Sequence, residues 1–306
     1  MTGSDGFREI TFTSRDGLKL AARHYPAQRA AGSRRPVVCL PGLTRNGRDF
    51  HDFALAIASH SGSPRDVYTV DYRGRGQSEW DRDVKNYAVP IEMLDVVDFM
   101  TFAGLTDAAI VGTSRGGLIA MVMAAAQPKL LGCVVMNDIG PVMERKGLTR
   151  ISAYVGRMPL PRSWTEATQL VADMSRKAFP AVAESEWEAV ARQWFNERNG
   201  RPAPGYDPKL AAAMSVLDKP APPLWPHFEG LKRIPLLVLR GETSDLLSAE
   251  TVDEMKRRHP ACTDFTVKGQ GHAPLLRDAA SIAAIRDFFD SAGRGLETPS
   301  KTAANA

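Results

Sequence analysis

Cysteine is scarce in this chain. There are three in 306 residues, Cys39, Cys133 and Cys262, with no C-x-x-C spacing. An odd count so spaced argues against a disulfide framework and against a zinc site. Each sits in or beside an apolar, strand-like run, so buried reduced thiols and a cytoplasmic setting are expected. Long apolar runs are also missing: nothing approaches the roughly 20 residues that cross a bilayer. The opening residues, Met1-Thr2-Gly3-Ser4-Asp5-Gly6-Phe7, lack the basic-then-apolar order of a secretory signal. No membrane partner is expected. Nor is there an excess of one charge. Lys and Arg number 39 against 35 Asp and Glu, a net charge of +4, with both signs mixed along the chain. The clusters Arg34-Arg35 and Lys256-Arg257-Arg258 read as solvated faces rather than nucleic-acid contacts. No internal repeat is visible. What remains is an ordinary globular balance, 43% apolar, enough for one large domain or a domain with a sizeable insertion.

The most informative segment is Gly112-Thr113-Ser114-Arg115-Gly116. An apolar run at 107–111 precedes it and reads as a buried strand. A second at 118–126 follows and reads as a buried helix. A serine between two glycines at such a strand-to-helix turn is the arrangement of an exposed nucleophile. The glycines permit a turn that side chains would block. The serine must take an unfavourable backbone conformation that only a surrounding fold enforces. The helix N-terminus behind it favours negative charge, including charge developing on a substrate oxygen.

Elsewhere the first half alternates. Strands are expected at 7–13 and 18–25, joined by the turn Arg15-Asp16-Gly17, then at 36–40, 67–71 and 131–136. Helices are expected at about 48–59 and 90–102. This rhythm implies a doubly wound, mostly parallel sheet. It breaks after Asn137-Asp138-Ile139-Gly140-Pro141. From there to about Lys232 only helices are expected. Ser163-Trp164-Thr165-Glu166 and Ser185-Glu186-Trp187-Glu188 fit the capping box at helix starts, and Asp207-Pro208 fits a cap followed by proline at the first helical position. Alternation resumes with strands at 235–239 and 262–267 and helices at 249–258 and 279–289. The reading is a core of residues 1–140 and 233–290, a helical insertion at 141–232, and a disordered tail at 291–306.

A serine hydroxyl needs a base, and the base is usually a histidine held by a carboxylate. Two later segments supply these after strands: Arg240-Gly241-Glu242-Thr243-Ser244-Asp245 and Lys268-Gly269-Gln270-Gly271-His272. Loops at the C-terminal ends of parallel strands converge on one edge. Ser114 is therefore expected as nucleophile, His272 as base and Asp245 as orienting acid. Glu242 falls too early in its loop to compete. His227 is the one rival base.

Here the chain resembles the α/β-hydrolase fold family. The elbow, the order Ser…Asp…His and the placement of acid and histidine after late strands carry the resemblance, which covers nearly all of the chain to about residue 290. Leu40-Pro41-Gly42-Leu43-Thr44 sits where that family has its oxyanion loop. Asp71-Tyr72-Arg73-Gly74-Arg75-Gly76-Gln77-Ser78 looks like its D-x-R-G-x-G-x-S turn. One departure is Pro41-Gly42, where the family often has His-Gly, so the bracing of this loop must differ. The resemblance implies an oxyanion hole built from the backbone N–H groups of Leu43 and Arg115, it makes Asp138 the competing acid because some members of the family place theirs one strand earlier, and it likens the insertion to a cap over the site. Four of the five tryptophans, Trp164, Trp187, Trp194 and Trp225, fall in that insertion and are expected to line an apolar substrate pocket. No cofactor or metal is expected. The reading is a serine carboxylesterase acting on small, apolar, short-chain esters, aliphatic polyesters among the candidates. Its alternatives are a C–C bond hydrolase acting on vinylogous diketones and a non-turnover receptor of the same fold. The sequence leaves oligomeric state open.

Overall fold

The computed structural model describes residues 5–29, 32, 34–214 and 222–294. Its main body is an eight-stranded sheet. Strands β1 (Arg8–Thr13) and β2 (Lys19–Tyr25) form an antiparallel hairpin, and β2 pairs antiparallel with β4 (Val67–Asp71). From there the sheet is parallel: β3 (Val37–Leu40), β5 (Ala108–Thr113), β6 (Leu131–Asn137), and two later strands, β9 (Leu236–Gly241) and β10 (Cys262–Val267). The order across the sheet is β1-β2-β4-β3-β5-β6-β9-β10, which puts the strand before Ser114 near its middle.

The central strands are apolar throughout because both faces are covered. Alternate residues feed two cores. Val38, Leu40, Ile110, Val134, Met136 and Val238 face one, and Val37, Cys39, Val111, Cys133, Val135 and Leu239 face the other. Helices α1 (His51–Ala58), α2 (Val89–Phe102) and α3 (Arg115–Ala126) follow β3, β4 and β5 respectively. The cysteines are free thiols, with Cys39 and Cys133 buried in this sheet.

Between β6 and β9 the chain inserts α4 (Arg145–Tyr154), α5 (Trp164–Ser175), α6 (Trp187–Trp194), the strands β7 (Asn196–Arg198) and β8 (Arg201–Ala203), α7 (Leu210–Met214) and α8 (Trp225–Glu229). The insertion has its own small core of Val171, Phe179, Trp187, Val190 and Phe195. It is not wholly helical, as β7 and β8 pair antiparallel. Ser163 caps α5 as expected, accepting from the Glu166 N–H. The second expected cap fails: Ser185 lies inside a 3-10 turn, and Glu186 reaches back to the Ala183 N–H instead. Asp207 accepts from the Lys209 N–H.

The chain closes with α9 (Ala249–Arg258) and α10 (Ala279–Arg294). The final helix thus takes in residues 291–294, which the sequence assigned to a disordered tail, and the rest of that segment lies outside the described residues. Among the described residues no helix is long and apolar enough to cross a membrane.

Candidate active site

Ser114 sits between β5 and α3 with φ 50° and ψ −108°, in the left-handed half of backbone space that a side chain disfavours. The neighbouring glycines show why the turn is possible. A Cβ on Gly112 would lie 2.5 Å from the Gly116 carbonyl carbon, and one on Gly116 would lie 2.1 Å from the Leu40 oxygen. The backbone is held from the next strand, since the Ser114 N–H donates to the Asn137 carbonyl at 3.0 Å.

The hydroxyl of Ser114 lies 3.0 Å from His272 Nε2, and His272 Nδ1 lies 2.8 Å from Asp138 Oδ2. Hydroxyl, imidazole and carboxylate therefore form a continuous relay. Asp138 follows β6 directly, with φ 57°, a conformation that aspartate tolerates better than most residues. It is fully buried, and a buried carboxylate needs donors to offset lost hydration. It has them: the Gly241 N–H at 2.7 Å on Oδ1 and the Ser244 hydroxyl at 2.6 Å on Oδ2, beside His272. Its own N–H donates to Leu239. The carboxylate thus takes up the N–H of Gly241 where the β6–β9 ladder ends.

The carboxylate that meets His272 is thus Asp138 and not Asp245. Asp245 was expected to orient His272, but both of its oxygens are engaged by Arg150 of α4, at 2.7 and 2.8 Å. That bond to Arg150 holds the Asp245 carboxyl below its ordinary range. Chain order could not separate the two aspartates, because both fall between Ser114 and His272. Glu242 is exposed and pairs with Lys268, and His227 is exposed on α8.

A cavity of about 380 Å³ opens onto Ser114 and His272. The insertion supplies much of its wall: Ile151, Tyr154, Met174, Phe179, Trp187 and Trp194, facing Leu43 and Leu275 of the main body. Of the four tryptophans expected there, Trp187 and Trp194 are present. Trp164 instead packs beneath the Arg192 guanidinium at 4.4 Å. Trp225 lies against Phe228 and beneath Arg258, where α8 meets the main body. The two arginines lining the cavity are both neutralised, Arg45 by Asp49 and Arg150 by Asp245.

Leu43 borders the cavity and Arg115 begins α3. Among the described residues, no hydrogen bond uses the N–H of either. For Arg115 this follows from position, because the first amides of a helix have no partner within it. The Arg115 side chain donates to buried Glu92. Among the described residues no cluster of three or more His, Cys, Asp or Glu could hold a metal ion.

The sequence profile described as "Alpha/beta hydrolase family" matches residues 37–285. The chain belongs to that family. A 3-hydroxybutyrate-oligomer hydrolase of Cupriavidus necator is 34% identical over 272 residues, covering 84% of this chain and 89% of that protein. An sn-1-specific diacylglycerol lipase, ABHD11, of Xenopus laevis is 27% identical, covering 84% of this chain and 80% of the lipase. The crystal structure of an alpha/beta hydrolase from Novosphingobium aromaticivorans superposes with a TM-score of 0.85 at 37% identity, covering 95% of this chain and 99% of that one. This α/β hydrolase therefore shares both fold and hydrolase kinship along most of its length.

Proposed function

We propose that this α/β hydrolase cleaves carboxylic esters through an acyl-enzyme on Ser114, with His272 as base, Asp138 as the acid that orients it, and the inserted segment as a cap over the substrate. The observation that carries the proposal is the unbroken relay from Ser114 Oγ through His272 to Asp138 at the mouth of the cavity.

His272 removes the proton of Ser114 as the hydroxyl attacks the ester carbonyl. The amides of Leu43 and Arg115 stabilise the oxyanion, where one such donor is typically worth about 3 kcal/mol. His272 then protonates the departing alcohol. Water enters, gives its proton to His272 and releases the acid, restoring Ser114. Buried Asp138 fixes the imidazole tautomer with Nδ1 protonated and offsets the charge that forms on the ring.

The cavity supports the substrate class. At about 380 Å³ it lies toward the small end of ligand sites, which favours short acyl groups. Its aromatic and aliphatic wall favours an apolar chain, and the pairing of Arg45 and Arg150 leaves no bare charge that a neutral ester would have to desolvate. Short hydroxyalkanoate oligomers combine these traits, and the kinship with the 3-hydroxybutyrate-oligomer hydrolase supports them.

The test is turnover of p-nitrophenyl esters from acetate to decanoate, and of hydroxybutyrate dimers and trimers, by the wild type and Ser114→Ala. Activity concentrated at short acyl lengths and abolished in Ser114→Ala is expected. Turnover that persists in Ser114→Ala removes the nucleophile; cleavage of vinylogous diketones in preference to every ester moves the enzyme to carbon–carbon chemistry.

A further inference from the structure

One buried arginine and one partly exposed one share a single buried carboxylate near the proposed oxyanion hole. Arg75 and Glu92 are both fully buried, with Arg75 Nη1 2.7 Å from Glu92 Oε1. Arg115 Nε lies 2.6 Å from the other oxygen, Oε2. Arg75 Nε donates to the Leu43 carbonyl at 2.9 Å. Arg115 Nη2 donates to the Tyr87 carbonyl at 2.9 Å. A continuous path thus runs from Leu43 through Arg75 and Glu92 to Arg115. Its ends are the two residues whose amides would hold the oxyanion.

We infer that Arg75, Glu92 and the Arg115 side chain form a clamp that positions the oxyanion amides, which makes them positioning residues for the hydrolytic step. The inference rests on the oxyanion assignment of the proposed function.

Three arguments support it. First, the loop needs a brace. Its Pro41-Gly42 offers no side chain to hold it. The bonds that reach it from the Asp71–Ser78 turn are Arg75 to the Leu43 carbonyl and Tyr72 Oη to the Pro41 carbonyl at 3.3 Å. Fixing the Leu43 carbonyl restrains rotation about that residue and so the direction of its N–H. Second, stability alone is a weak reason for such a cluster. Desolvating three charges offsets most of their mutual attraction, and apolar replacements of similar volume are often no less stable. Third, two cations against one anion leave a positive excess next to the place where negative charge develops. That excess favours the transition state over the neutral ester.

The experiment compares Arg75→Lys, Arg75→Met, Arg115→Met and the double Met variant. Arg115→Met keeps the backbone amide and removes only the clamp, and its partly exposed side chain makes it the variant most tolerant of truncation. Folding is followed by thermal melts. Readouts are kcat and KM on p-nitrophenyl butyrate and the affinity of an alkyl boronic acid, whose tetrahedral serine adduct occupies the oxyanion hole. Each single variant is expected to lose roughly ten- to a hundredfold in kcat with KM within about twofold. Boronate affinity should fall in parallel, and the double variant should be no worse than the weaker single, because both arms act through Glu92. Arg75→Lys should recover little, since an ammonium cannot span Leu43 and Glu92 as the guanidinium does. Unchanged kcat and boronate affinity in folded Arg115→Met overturn the clamp, as does a change confined to KM. Loss of activity in Ser114→Ala alongside intact Arg115→Met would remove the clamp and leave the serine mechanism; turnover by Ser114→Ala would remove both.

Discussion

Ser244 gives its hydroxyl hydrogen to Asp138 Oδ2 at 2.6 Å, on the same oxygen that faces His272 Nδ1. The loop after β9 was expected to supply the acid. It supplies instead the Ser244 hydroxyl, which joins the N–H of Gly241 at the end of β9 in holding the Asp138 carboxylate.

A ranking of aspartates follows. Asp138→Asn should reduce kcat roughly ten-thousandfold, because an amide donates to Nδ1 and stabilises the wrong imidazole tautomer. Asp245→Asn weakens only the pair with Arg150 and should cost less than about tenfold. Steady-state kinetics on one ester decide the matter, and equal losses would mean that Asp245 acts on His272 after all.

Ser244→Ala offers a graded version of the same test. It removes one donor from a buried carboxylate, which is expected to cost about 1.5–3 kcal/mol of stability. The relay itself keeps its geometry, so kcat should fall far less than in Asp138→Asn. Urea denaturation read alongside kinetics separates the two effects.

The insertion tryptophans should divide by location. Trp187 is buried both in the insertion core and at the cavity wall, so Trp187→Ala should cost about 3–5 kcal/mol and raise KM. Its indole N–H is buried and meets no acceptor among the described residues. Trp187→Phe should therefore stay within about 1.5 kcal/mol of the wild type. Trp225→Ala, beneath Arg258 and away from the cavity, should leave kcat and KM unchanged. A shift in KM for Trp225→Ala would place that ring against substrate.

Gly116→Ala should be among the most damaging single-methyl changes in the chain. The added carbon would overlap the Leu40 carbonyl oxygen at 2.1 Å, and backbone cannot swing aside as a side chain can. A loss of at least about 3 kcal/mol is expected, read as a lowered thermal midpoint. Wild-type stability would contradict the turn geometry.

Acid sensitivity has one local source that can be isolated. A hydrogen bond from Arg73 holds the Asp16 carboxyl down to about 2, against 3.8 in the unfolded chain. Between these values the folded state binds fewer protons than the unfolded one, so stability from this pair is complete above about pH 4 and disappears as the pH falls through 2. Asp16→Asn should make the urea midpoint fall less steeply between pH 5 and pH 2.5. An unaltered slope would show that the pair contributes nothing to acid sensitivity.

Much of the scaffold could be read from residue order alone. Strand 67–71 falls where the apolar pattern puts it, because two-sided burial demands a continuous apolar run between turn signals; the largely exposed edge strand 262–267 and the amphipathic helix 249–258, capped by Ser248, also lie where they are expected. The hairpin of β7 and β8 escapes a sequence reading because its strands are only three residues each and show no apolar alternation. Its signal was nevertheless present in Asn199-Gly200, both with positive φ, the pair that a two-residue hairpin turn favours. The relay was legible at its serine and histidine, each marked by flanking glycines. Its acid was ambiguous, because two aspartates after adjacent strands satisfy the same chain order. Only packing shows that one meets His272 and the other an arginine from the insertion. Glu92 left a fainter trace: a carboxylate among Met93, Val96, Phe99 and Met100 on one buried face of α2 signals a cationic partner, but not which one.

The position of Asp138 at the end of β6 has a consequence for engineering. The residue that steadies the imidazole stands on the threshold of the inserted segment, with two residues between it and Pro141. Any chimera that exchanges this roof for a relative's must make its upstream join beyond Gly140. A seam placed even slightly earlier would exchange the carboxylate that meets His272 together with the insertion.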